Sequence, residues 1–163
     1  MRLSKFLMII CVFLIGTPAI AGEKIEISQE DKHNLTTTAQ KLALCSGVYD
    51  MVSEIHKLID NPALSFSTHE TANGAEIAAA YLMASIGVIP DWKYALKYAE
   101  NTRNSEKMRQ AALFEAAGNS PEAINKAVGN LTESLEKCNV WSELQAELVQ
   151  QAKLWMYANQ PKS

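Results

Sequence analysis

Very little in this chain would break a helix. Its 163 residues include only 7 glycines and 5 prolines, and the glycines stand singly, so no glycine-rich loop is available to cradle a phosphate. Sustained alternation of apolar and polar residues is missing, which argues against a sheet framework. Histidine is scarce too. His33, His56 and His69 are scattered and lack the close Cys or His pairing of a zinc site. The motifs GxSxG and HExxH are absent, as is the CxxCH that attaches a c-type haem. Lys and Arg form no cluster, which argues against nucleic acid and anionic lipid as partners. These absences lead to an expectation of no enzymatic activity, no catalytic residues, no metal and no cofactor.

The one long apolar run lies at the amino-terminus. Arg2 and Lys5 precede an uncharged stretch from Phe6 to Gly16, followed by Thr17, Pro18 and the small residues Ala19 and Ala21. A basic start, a short apolar core and small residues at the cleavage positions compose a secretory signal. The run is also shorter than the roughly 20 residues that span a bilayer. Residues 1–21 are therefore read as a cleaved signal peptide and residues 22–163 as one exported domain, periplasmic in a Gram-negative bacterium and otherwise secreted. Cys11 lies inside the apolar run, so a lipid-modified terminus is not expected. No later stretch predicts membrane insertion after cleavage. Cleavage removes Arg2 and Lys5 but no acid, moving the net charge from −3 to about −5. Such an acidic surface would suit a basic protein partner.

Cleavage also removes Cys11 and leaves Cys45 and Cys138. Two cysteines in an oxidising compartment pair more readily than they stay free. A catalytic thiolate would need an electropositive, accessible setting and a base within reach. His56, the nearest histidine to Cys45 along the chain, lies three turns on and over a different part of the helix surface. A Cys45–Cys138 disulfide is expected, fastening the first helix to the last segment. Ser46, Gly47, Ser134 and Ser142 are small enough to let those helices approach.

Apolar residues recur three or four apart through the rest of the chain. Leu35, Ala39, Leu42, Cys45, Tyr49, Val52, Ile55 and Ile59 trace one helical face, with Ser28 as its cap and Asn61-Pro62 as its stop. Asp50, Glu54 and Lys57 fall on a more polar face. The spacing then predicts a loop over 60–72 and an alanine-rich helix over 73–86, closed by Gly87. A third helix starts at Asp91, breaks around 101–105 and resumes to Ala117. Ser120-Pro121-Glu122 signals a restart. The final segment, 121–159, holds phase as one helix or as two parted near 139–142. The fold class expected is all-α: a single-domain bundle of four to five helices tied by one disulfide.

Residues 111–123, AALFEAAGNSPEA, resemble the middle of a tetratricopeptide repeat at Ala111, Phe114, Gly118 and Ala123. A copy one period of about 34 residues earlier would need glycine at position 84, where Ala84 stands, so a single helix–turn–helix hairpin is expected there. The acid pairs Asp50/Glu54 and Glu143/Glu147 and the neighbours His69-Glu70 come nearest to catalytic or metal-ligating chemistry. Each pair is read as a solvated helix face, and His69 as a solvated loop residue. Asn34 and Asn130 begin glycosylation sequons that matter only in a eukaryotic source. Among the aromatics, Trp92, Tyr94 and Tyr98 crowd one short stretch and are the candidate binding surface. The leading reading is an exported protein that works by binding another protein, as an inhibitor or immunity-type partner does. The alternatives are a small-molecule carrier with a cavity beside the alanine-rich helix, and an enzyme whose dispersed acids converge in a cleft.

Overall fold

The computed structural model describes residues 27–158, so the proposed signal segment lies outside the described residues. Five helices follow one another: α1 (Gln29–Leu58), α2 (Pro62–Ser85), α3 (Trp92–Ala117), α4 (Pro121–Asn139) and α5 (Ser142–Ala158). No strand occurs among the described residues. The all-α bundle expected from the periodicity is what the chain forms. Ser28, Asp91 and Ser120 cap α1, α3 and α4 as expected, each side chain accepting from backbone N–H groups of the first turn. Gly87 and Gly118 take positive φ after α2 and α3, where a side chain would be strained. The final segment is two helices, parted at Val140-Trp141.

Two expected breaks between helices fail. The stretch 60–72 is not a loop, because Asn61 caps α2 by accepting from the Leu64 N–H, and Pro62 fills the first helical position, where no N–H is needed. Asn61-Pro62 is thus a start as well as a stop. Nor does α3 break around 101–105. Its run Asn101-Thr-Arg-Asn-Ser is polar because part of it faces other polar groups inside the bundle, with Arg103 and Glu106 buried.

The helices close around α1. It packs against α2, α3 and α4, while α5 lies on α2. Every residue from Cys45 to Met51 is buried, so the middle of α1 has no outer face. One part of the core joins Leu35, Ala39 and Leu42 to the alanines of α2, Ala95 and Ala99 of α3, and Leu148 and Ala152 of α5. The other joins Cys45, Val48, Tyr49 and Met51 to Ala72, Ala75, Leu131 and Cys138. Ile59, expected on the buried face, is exposed because α1 ends before it.

Cys45 and Cys138 are joined by a disulfide, with Cα atoms 5.4 Å apart. It closes a loop of 93 positions, for which chain entropy gives on the order of 4.5 kcal/mol as an upper value. Gly47 serves another neighbour. A Cβ there would lie 2.5 Å from the Arg103 carbonyl oxygen, 2.7 Å from Glu106 Cβ and 3.0 Å from the Lys107 nitrogen. Gly47 therefore seats α3 against α1, rather than easing the approach of the cysteine-bearing helices.

Two outcomes follow from this packing. Replacing Cys45 and Cys138 together by serine should lower the urea midpoint by an amount equivalent to roughly 2–4 kcal/mol. Gly47→Ala should cost about 2–3 kcal/mol, because two of the obstructing atoms are backbone and cannot turn aside. Denaturant unfolding at neutral pH checks both, and a Gly47→Ala protein as stable as the parent would refute the close approach.

Candidate functional site

Two features meet along α3. On one side lies a buried ion network, and on the other an apolar groove over the disulfide.

The network begins at Asp50, three residues beyond Gly47. The seating of α3 on Gly47 brings Arg103 and Lys107 over it. Arg103 Nη2 donates to Asp50 Oδ1 at 2.9 Å, and Lys107 Nζ pairs with Asp50 Oδ2 at 3.1 Å. Lys107 also reaches Glu54 at 3.1 Å. The other guanidinium nitrogen, Nη1, donates to Glu76 Oε2 at 2.9 Å and to Asn73 Oδ1 at 2.8 Å on α2. His69 Nδ1 lies 3.1 Å from Asp50 Oδ1 and 3.3 Å from Arg103 Nη2. Three helices are thereby cross-braced by opposite charges.

Burial alone would push the Asp50 carboxyl up. The hydrogen bonds from Arg103 and Lys107, the charge of Arg103 and the contact with His69 outweigh it and hold the group at about 2. Arg103 and Lys107 are each moved down by burial and up, on balance, by their carboxylate partners. The reading of Asp50 and Glu54 as a solvated face is corrected here: the Asp50 side chain is only 8% exposed, while Glu54 remains half exposed. His69 lies on α2, not in a loop, with its side chain 48% exposed. Asp50, Glu54, Glu76 and His69 do converge. Glu70 instead accepts from Asn73, and Glu143 and Glu147 sit apart on α5. A carboxylate held near 2 is a weak base at neutral pH. The arrangement braces helices better than it abstracts protons.

The groove has a volume of about 500 Å³ and lies between α1, α3 and α4. Its floor is the Cys45–Cys138 bridge with Leu44 and Val48. Trp141 and Val140 stand at the α4–α5 junction. Leu44 is 43% exposed and Val140 75%. Lys41, Arg109 and Lys137 bring three cations to the lining, and Glu106 the one carboxylate. Glu106 is already engaged, accepting from Arg109 at 2.7 Å and from the buried Gln110 amide at 2.7 Å. Lys41 lies 5.4 Å above the Trp141 ring. Lys137 pairs with Glu133 one turn away at the surface. Among the described residues, no group of three or more His, Cys, Asp or Glu could hold a metal ion.

Of the candidate aromatic surface, Trp92 packs on Trp155 with ring centroids 5.6 Å apart, and it and Tyr98 lean on the core. Tyr94 alone stands out, 67% exposed, so the three do not form one patch. The alanine-rich stretch of α2 is wholly buried from Ala78 to Ala80 and is part of the core. A second apolar patch surrounds the α1–α2 turn, where Leu58, Ile59, Leu64 and Phe66 are exposed. Sequence reading found both cysteines but missed the groove's rim and the partners of Asp50. One signal was available: Asp50/Glu54 and Arg103/Lys107 share the same one-turn spacing with opposite sign. Compared with protein-family models, curated proteins and solved structures, the chain matches none.

Because the Asp50 carboxyl is depressed in the folded protein, its ionisation stabilises the fold above its unfolded value of 3.8, and that contribution is lost as pH falls toward about 2. The linkage amounts to about 2 kcal/mol. Asp50→Asn should cost about 3 kcal/mol at neutral pH, leaving Arg103 and Lys107 short of a carboxylate. The gap between variant and parent should narrow as pH drops below about 4. Urea unfolding across that range measures it, and a gap independent of pH would refute the assignment.

Proposed function

We propose that this chain is an exported, non-enzymatic protein that acts by binding another protein, with the groove over the disulfide as its contact surface. The observation that carries the reading is the groove itself: Leu44 and Val140 lie exposed over a buried disulfide, between three helices whose spacing is fixed by cross-links on both sides. Apolar surface left open on a braced scaffold is what a partner can cover without paying to order it. Export is supported by the composition of residues 1–21 and by the disulfide, which suits an oxidising compartment. Among the described residues, no helix is long and apolar enough to cross a membrane. A concrete form of the activity is that of an inhibitor or immunity-type protein occupying a secreted effector.

The test places a photo-crosslinking amino acid at Val140 in the groove and, separately, at Phe66 on the α1–α2 turn, in the chain expressed with its own leader in its native host. The expected result is a discrete protein adduct from Val140 and none from Phe66, on material that begins at Gly22. Adducts from Phe66 alone, or no protein adduct from Val140 under any growth condition, would overturn the reading.

A further inference from the structure

The groove carries a sign, and the sign is opposite to that of the chain. Overall the protein is acidic, with a formal net charge of −3. Around the groove the balance reverses. Lys41 comes from α1, Arg109 from α3 and Lys137 from α4, so each helical wall contributes a cation. Glu106 is buried and accepts from Arg109 and Gln110, which leaves it turned to its own helix rather than to an incoming group. Between the cations the surface is apolar, formed by Leu44 and Val140 over the buried disulfide.

From this geometry we infer that the groove receives an acidic segment of a partner protein: an apolar side chain lies over the Cys45–Cys138 bridge while flanking Asp or Glu carboxylates reach Lys41, Arg109 and Lys137. The inference rests on the partner-binding reading above and gives that partner a chemistry. A basic segment, which the chain's overall charge would favour, meets a net positive rim at the contact itself, Lys41, Arg109 and Lys137 outnumbering Glu106 and the Glu133 that pairs with Lys137. Charges beyond a screening length of about 8 Å contribute little at physiological salt, so the groove's own balance of charges, positive on net, decides. Lys41 is placed over Trp141 before binding, which lowers its ordering cost of meeting a carboxylate. Glu106 holds Arg109 through Nε and Nη2, so an incoming carboxylate would meet a guanidinium whose position is set, at its Nη1 edge.

The experiment uses two short fluorescent peptides with the same leucines, flanked by glutamate in one and by lysine in the other, and reads their affinity for the mature protein by anisotropy. The glutamate peptide should bind at least about ten-fold more tightly at low salt, and its advantage should fade toward 0.5 M salt. Lys137→Glu, at an exposed position that leaves the core untouched, should cut that advantage about three-fold or more. The triple variant K41E/R109E/K137E should reverse the preference, with circular dichroism establishing that it is folded. Equal binding of both peptides, preference for lysine, or a preference unmoved by Lys137→Glu would overturn the inference. So would dodecanoate binding more tightly than either peptide, which would make a small amphiphile the occupant, or a concentration-dependent dimer lost on Val140→Glu, which would make it a second copy. If Val140 crosslinks a protein in cells while the two peptides bind alike, the partner reading stands and the acidic class falls. If the glutamate peptide is preferred while Val140 captures nothing, the acid-binding chemistry stands and the protein-partner reading falls.

Discussion

The contact of Gly47 with α3 governs most of what is distinctive in this bundle. Any side chain there would push the α3 backbone away. With none, α3 settles so close that Asp50, three residues along, loses its water. A desolvated carboxylate is costly unless paired, and Arg103 and Lys107 supply the pairing from the same turns of α3 that Gly47 admits. Backbone approach and charge complementarity therefore presuppose each other. Buried ion pairs of this kind add little net stability over a well-packed apolar alternative. Their effect here is on register: one turn of slippage between α1 and α3 would set the two carboxylates of α1 out of step with the two cations of α3.

Register matters because the groove is built from the same helices. Its walls carry Lys41 and Leu44 on α1, Arg109 on α3 and Lys137 on α4. The ion network fixes α1 against α3, and the disulfide fixes α1 against α4. With both in place the width of the groove is set by covalent and ionic cross-links. Glu106 joins the two regions. It lies one turn from Arg103 and, turned to its own helix beneath the groove's lining, orients Arg109.

The helices were legible because their signals are local. Ser28, Asp91 and Ser120-Pro121 are caps whose chemistry acts within one turn, and Gly87 and Gly118 need only their own backbone. The disulfide was legible from counting and from the compartment the amino-terminal residues led one to expect. What could not be read locally is that α1 has three neighbours around its middle. Periodicity assigns a helix one buried face and one wet face, and that rule sent Asp50 outward. The same rule made the polar run around Arg103 look like a break, when its polarity belongs to an interior network. Asn61-Pro62 misled for a different reason: proline after an N-cap is read equally well as the end of one helix and the first turn of the next. The groove has no linear signature at all, since its lining is drawn from residues 41–48, 106–109 and 134–141.

Net charge and contact charge answer different questions in such a molecule. Acidic groups spread over the surface set the long-range field, which governs solubility and the rate at which charged bodies approach. Within a groove bounded by low-dielectric walls, field lines from a few nearby cations are concentrated and poorly screened. A partner carrying an acidic segment on an otherwise basic body would be drawn in by the first and oriented by the second. That combination would tie both the acidic surface and the cationic rim to one encounter, and it would make recognition depend on how charge is distributed along the partner rather than on its total.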